Sequence, residues 1–358
     1  MRNNVSALIV SCVLALAPLT ASGQDHWIKA AAQGSAGAPA LDPELNGYQY
    51  PYPVSFYEFD TQGQKLRMAY MDLAAARPNG RAVVLLHGKN FSGAYWATTI
   101  KMLTEAGYRV IAPDQVGFGK SSKPNSYQFS FQALAANTRS LLDSLRVEKF
   151  TLVGHSMGGM LAARMALMYP ERVERLALVN PIGLEDWKLV APYRTVEENF
   201  AQEMRATPES IKEYQRVNYF GGEWKPEYDA LTEILAGWTR HPDYRRVAWN
   251  AALTSDMIFT QPVIYEFERL KTPTLFIIGQ RDRTAIGKDR VPKEVAARMG
   301  DYPALGRAAA RRIPRASLVE IEEAGHIPQV ESFAKYARAL LAFIAGNNSP
   351  TKPRTRSM

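Results

Sequence analysis

The run Gly154-His155-Ser156-Met157-Gly158-Gly159 directly follows an apolar stretch at 150–153 and directly precedes a helical pattern. A strand that turns sharply into a helix at a serine flanked by small residues lifts the hydroxyl to a sheet edge, where a nucleophile can work. Gly154 and Gly158 give the strained turn room. Gly159, Ala162, Ala163 and Ala166 let the helix lie close to the sheet, and the helix N-terminus favours negative charge developing beside it. A serine hydroxyl needs a base to take its proton. Of the five histidines, His26 falls in a linker, His87 follows another strand, the turn aims His155 into the fold, and His241 lies in a segment of different pattern. His326 follows a strand at 317–321, at the same edge as Ser156, and is the expected base. Asp282 follows the strand at 273–278 and is the expected acid, fixing the imidazole tautomer and steadying its cation; the main rival position, at the end of strand 176–179, holds Asn180. The oxyanion of a tetrahedral intermediate needs backbone N–H donors. Met157 is expected to supply one, and the loop His87-Gly88-Lys89-Asn90 the other, with Lys89 ahead of Asn90. The glycine-rich stretch 114–121 lacks the spacing of a phosphate loop and reads as a turn shaping a pocket wall.

These residues need elements to hold them, and the chain alternates accordingly. A hairpin is predicted over 57–70, strands at 82–86, 109–112, 150–153, 176–179, 273–278 and 317–321, and helices at 92–106, 130–145, 157–168 and 333–344. Short, wholly apolar strands alternating with helices predict an α/β fold, a mostly parallel doubly wound sheet covered on both faces. Residues 184–271 break the alternation with helical patterns and fourteen aromatic residues, and read as an inserted helical cap whose underside closes a pocket. The cap divides the core into 51–183 and 272–346. The segment 286–312, between acid and base, receives no role from its sequence.

The ends are different. Arg2, an apolar run at 5–18 and Ala21-Ser22-Gly23 predict a signal peptide over 1–23, hence an exported, periplasmic or secreted protein with no stable membrane insertion once the leader is cleaved. Ile9-Val10-Ser11-Cys12 resembles a lipobox placed unusually early, so lipidation of Cys12 is a side reading. Residues 24–50, rich in Ala, Gly and Pro, read as a loose linker, and 347–358 as a disordered tail. Cys12 is the only cysteine, which excludes disulfide scaffolds, thiolate metal sites and cysteine nucleophiles from the mature chain. The 358 residues are 46% hydrophobic and 22% charged, ordinary globular composition. Without Arg2 and the tail residues Lys352, Arg354 and Arg356, the formal charge of +8 falls to +4, too little to mark a nucleic-acid surface.

Leu85-Leu86-His87-Gly88, the stretch 114–121, the serine turn, Asp282 and Gly325-His326 together resemble the alpha/beta-hydrolase superfamily, over roughly residues 52–346 and in the branch with a helical cap after the sixth strand. The stretch His87-Gly88-Lys89-Asn90-Phe91 resembles exported bacterial members loosely labelled epoxide-hydrolase-like, but epoxide hydrolases use an aspartate nucleophile and this chain has Ser156. The order Ser156, Asp282, His326 is that of this fold class. The resemblance implies a serine hydrolase that needs no cofactor or metal, cleaving a small-molecule apolar ester or related acyl substrate through an acyl-enzyme. Carbon–carbon bond, amide and lactone hydrolysis use the same groups, and a non-enzymatic ligand-binding relative would usually have lost one of them.

Overall fold

The computed structural model describes residues 39–346. The signal-peptide and Cys12 readings, most of the linker and the 347–358 tail lie outside the described residues.

The chain begins with a hairpin, β1 (Ser55–Thr61) and β2 (Gln64–Leu73), closed by Gln62 and Gly63 with φ of 48° and 73°. Two positive φ values in a two-residue loop match the twist of the strands they join. There follow β3 (Ala82–Leu86), α1 (Ala97–Glu105), β4 (Arg109–Pro113), α2 (Phe131–Ser144), β5 (Phe150–His155), α3 (Met157–Met168) and β6 (Val173–Val179). Four helices come next: α4 (Val196–Glu203), α5 (Pro208–Asn218), α6 (Glu233–Thr239) and α7 (Tyr244–Thr260). The chain closes with β7 (Thr274–Gly279), α8 (Lys293–Ala296), α9 (Tyr302–Arg312), β8 (Ala316–Ile321), α10 (Pro328–Glu331) and α11 (Phe333–Ala345).

The strands form one sheet in the order β1-β2-β4-β3-β5-β6-β7-β8, with only β2 antiparallel to its neighbours. The chain leaves β3 toward β4, then crosses back to β5 on the other side. At that reversal the loops after β3 and β5 diverge and leave a crevice at the carboxyl ends of the strands. Ser156 and Lys89 both stand there.

The central strands are largely apolar because alternate side chains enter two separate cores. Val83, Leu85, Val110, Val153 and Ile277 face Ile100 and Leu103 of α1 and Tyr336 and Leu340 of α11. Val84, Leu86, Ile111, Leu152 and Ile278 face Leu134 of α2, Leu161 of α3 and Ala309 of α9. Each large aliphatic side chain buried this way contributes about 1.5–3 kcal/mol. A segment with no role in sequence, 286–312, thus supplies part of one core through α9.

The insertion between β6 and β7 is helical. Part of its aromatic content forms its own core: Phe220 stacks on Tyr228 at 3.9 Å and Trp224 meets both edge-on. This cluster docks on the main body through Phe91 and Ile327.

One expectation needs correction. The linker reading ran to residue 50, yet Leu41, Leu45 and Tyr48 are buried against Trp238 and Val247 of the insertion. Trp238 Nε1 donates to the Asp42 carbonyl at 3.0 Å, and Glu44 pairs with Arg246. Three apolar residues spaced by four and three suffice to anchor the strap, because Gly237 lets Leu41 lie directly on α6; a Cβ there would come within 2.5 Å of Leu41. Among the described residues no helix is long and apolar enough to cross a membrane.

Candidate active site

Ser156 sits between β5 and α3 with φ 58° and ψ −123°, a conformation that non-glycine residues rarely hold. The neighbourhood compels it. The Ser156 carbonyl accepts from Gly159 and Ile182, and its N–H donates to Val179. The turn also brings backbone against backbone. A Cβ at Gly154 would sit 2.2 Å from the Gly158 carbonyl oxygen, and one at Gly158 would sit 2.2 Å from that of Leu86. Those two glycines are therefore required by space.

His326 Nε2 lies 3.0 Å from Ser156 Oγ, and His326 Nδ1 lies 2.7 Å from Asp282 Oδ2. Since the carboxylate can only accept, Nδ1 carries the proton and Nε2 is free to accept from the serine. Asp282 and His326 are fully buried. Asp282 also accepts from the Thr284 N–H at 2.8 Å and from Asn180 Nδ2 at 2.7 Å. Asn180, at the rival acid position, is thus a donor to the acid, and its Oδ1 accepts from Gly279 N–H at 2.9 Å. Sequence reasoning placed these three side chains at strand ends; the structure joins them in one hydrogen-bonded chain.

His326 is clamped by residues that sequence reasoning missed. The His326 N–H donates to the Tyr219 carbonyl at 2.8 Å, and the Tyr219 ring stacks on the imidazole with centroids 4.5 Å apart. The His326 carbonyl accepts from His155 Nε2 at 2.8 Å, while His155 Nδ1 accepts from the Tyr95 hydroxyl at 2.9 Å. Glu331 accepts from the N–H groups of Gly325 and Ile327, at 2.9 and 3.0 Å. Burial, then the proximity of His326, hold the His155 pKa well below its ordinary value.

Around the serine, Met157 and Lys89 make no backbone N–H hydrogen bond among the described residues, as donors reserved for an oxyanion should be. The loop that carries Lys89 is tied to the insertion. Lys89 Nζ pairs with Glu203 at 2.8 Å, and Asn90 Nδ2 donates to the Tyr219 hydroxyl at 2.8 Å. His87 accepts from Gln115 N–H at 3.0 Å, and burial lowers its pKa. The turn 114–121 is organised by Asp114, which accepts from Gly93 and Lys120 N–H groups and from the Tyr50 hydroxyl, and it sends Gly117 and Phe118 to the cavity.

A cavity of about 600 Å³ opens on Ser156 between sheet edge and insertion. Tyr214, Tyr219, Trp238, Tyr244 and Phe259 line it, so the aromatic residues of the insertion divide between wall and internal core. The wall is not wholly apolar: Arg194, Arg205, Lys288 and Arg290 also line it. Among the described residues no group of three or more His, Cys, Asp or Glu could hold a metal ion.

Residues 81–333 match the family described as alpha/beta hydrolase fold. A probable hydrolytic enzyme from Pseudomonas aeruginosa PAO1, known by crystal structure, is 53% identical, with 87% of this chain and 99% of that one covered and a TM-score of 0.84. A provisionally named carbamate hydrolase of Pseudomonas syringae pv. syringae is 26% identical over 281 residues, 76% of this chain and 96% of its own. The meta-cleavage product hydrolase of Pseudomonas fluorescens IP01 is 25% identical, with coverage of 82% and 98% and a TM-score of 0.58.

Proposed function

The chain belongs to the alpha/beta-hydrolase family and is a hydrolase, and from that premise we propose that it cleaves carboxylic esters through an acyl-enzyme on Ser156. The observation that carries this reading is the buried relay from Ser156 Oγ through His326 to Asp282, at 3.0 and 2.7 Å, beside a cavity large enough for a small ester. As Oγ attacks the carbonyl carbon, His326 Nε2 takes its proton, and Asp282 balances the imidazolium through Nδ1–H. The oxyanion points at the N–H groups of Met157 and Lys89, each such donor contributing about 2.7–4 kcal/mol to the transition state. His326 then gives its proton to the leaving alcohol, and water repeats the sequence on the acyl-enzyme. Fixed backbone anchors on His326 keep the imidazole from reorienting between the two half-reactions.

Carbon–carbon bond hydrolysis by the same groups is the second reading, favoured by the similarity to a meta-cleavage product hydrolase. A panel of p-nitrophenyl esters of graded chain length, run beside a ring-fission diketone, tests the choice. Ester turnover with little diketone turnover is expected; diketone turnover with inert esters would favour the second reading. Export belongs to the same proposal, resting on the Arg2, apolar and Ala21-Ser22-Gly23 pattern. Mass spectrometry of the secreted protein should find a chain starting near Gln24, and an intact Met1 would contradict it.

A further inference from the structure

We propose that the substrate carries a carboxylate, held by a basic wall of the same cavity formed by Arg194, Lys288 and Arg290. The proposal deepens the acyl-transfer reading and rests on it for the reacting end. It departs from the purely apolar substrate that the aromatic content of the insertion suggests.

Charge balance is the first observation. Within the cavity lining, Lys89 is already matched by Glu203 at 2.8 Å. Arg194 and Arg290 share one acid, Asp289, whose side chain is 60% exposed; it bonds Arg194 and lies 3.9 Å from Arg290 Nε. The Lys288 ammonium bonds the Arg283 carbonyl. Glu198 and Glu185 stand nearby, bonded to Thr195 N–H and to Trp187 Nε1 and Gly300 N–H, and keep their charges; in the lining itself five cations, Lys89, Arg194, Arg205, Lys288 and Arg290, face two acids, Glu203 and Asp289. The wall therefore holds more positive charge than its acids neutralise.

The second observation is unmet hydrogen bonding among buried atoms. The Arg290 side chain is 13% exposed, its guanidinium lies 5.0 Å over the Phe259 ring, and Nη1 donates to the Pro192 carbonyl at 2.6 Å. Its Nε is buried with no hydrogen-bond partner among the described residues. Burial and the nearby Arg194 charge both lower the Arg290 pKa, consistent with cations waiting for an anion. Gln215 lines the same cavity, is fully buried, and has neither side-chain oxygen nor nitrogen satisfied among the described residues. It lies one helical turn before Tyr219, whose ring stacks on His326. An alkyl ligand would cover what remains exposed of the Arg290 and Arg194 side chains without supplying an acceptor, and so would cost desolvation with nothing in return. A carboxylate supplies acceptors to the guanidinium in charge-assisted bonds that low dielectric strengthens. Ile182, Leu235 and Ile258 leave an apolar stretch for the methylene body between the two ends.

Two arms test this. In the first, kcat/KM is measured for p-nitrophenyl glutarate, a monoanion, and for its neutral five-carbon counterpart, p-nitrophenyl pentanoate. The anionic ester should be preferred by about tenfold or more at low ionic strength, less with added salt, and Arg290→Gln should bring the ratio toward one. Equal or reversed preference in the wild-type chain, or an unchanged ratio in Arg290→Gln, overturns the proposal while leaving ester hydrolysis standing. In the second arm, glutarate is titrated into the full-length Ser156→Ala chain by calorimetry. Binding that weakens about tenfold on adding Arg290→Gln supports the basic wall even if no ester is hydrolysed, and absence of glutarate binding contradicts it. Arg194→Gln serves as the second variant should Arg290→Gln fail to fold, as judged by circular dichroism.

Discussion

The sheet edge and the cavity wall are built on opposite principles. At the edge, Ser156, Asp282 and His326 each follow a parallel strand, are buried or nearly so, and have their polar atoms bonded to neighbours fixed by the backbone. On the wall, Lys89–Glu203 and Arg194–Asp289 are partly exposed pairs joining elements far apart in sequence, and Gln215 and Arg290 retain unsatisfied atoms. Topology thus fixes the position of the chemistry, whereas an insertion, free to vary without disturbing the sheet, decides what reaches it. The two regions meet at Tyr219, which belongs to the insertion yet bonds and stacks on His326. Through that contact the insertion holds His326, and deleting it would disturb His326 as well as the pocket.

If the edge carries the chemistry, Ser156→Ala should cost the most, about 10⁶-fold in kcat by analogy with serine proteases, with the melting transition retained; residual turnover above about a tenth would assign the nucleophile elsewhere. Asp282→Asn should follow at about 10⁴-fold, because an amide can present its N–H₂ to Nδ1 and select the wrong imidazole tautomer. A loss under tenfold would mean that the backbone clamp alone orients His326. A smaller effect concerns stability. His155 has a folded pKa well below its unfolded value of about 6.5, so the unfolded chain binds the extra proton; the stabilisation is present above pH 6.5 and is lost as pH falls below it. His87 acts in the same direction and Glu331, raised by burial, in the opposite one. The difference in slope between wild type and His155→Gln in urea unfolding isolates the term, and identical slopes would contradict it. The smallest effect belongs to the wall. Glu203→Gln should change stability by less than about 1 kcal/mol, since its partly exposed pair with Lys89 contributes little. The same change should raise preference for an anionic ester a few-fold, read as the ratio of kcat/KM values, and a fall in that ratio would contradict the basic wall.

How much of this was legible in the chain follows the same division. Strands β3 through β7 were readable because burial on both faces gives each a short apolar run, and the serine turn because only glycine fits at 154 and 158. The positions of Asp282 and His326 were readable from strand ends together with their order after Ser156. The clamp was not, because Tyr219, Glu331 and His155 approach His326 by tertiary contact and carry no local pattern that marks them. The strap was misread because Leu41, Leu45 and Tyr48 are sparse among Ala, Gly and Pro. The basic wall was missed because Arg194 and Arg290 stand 96 positions apart in sequence and come together only in the fold, where both approach Asp289. Helix α9 escaped because its apolar face is small, with Gly306 lying against Ile278.

The central claim is that Ser156 forms a covalent acyl-enzyme at the edge of the sheet. Rapid mixing with p-nitrophenyl acetate, paired with peptide mass spectrometry after acid quench and after fluorophosphonate treatment, tests it directly. A burst approaching one equivalent of p-nitrophenol per chain, with both adducts on the peptide containing Ser156 and neither in Ser156→Ala, is the predicted result. An adduct on another residue, or turnover of the ester by a chain that fluorophosphonate leaves unlabelled, would contradict it.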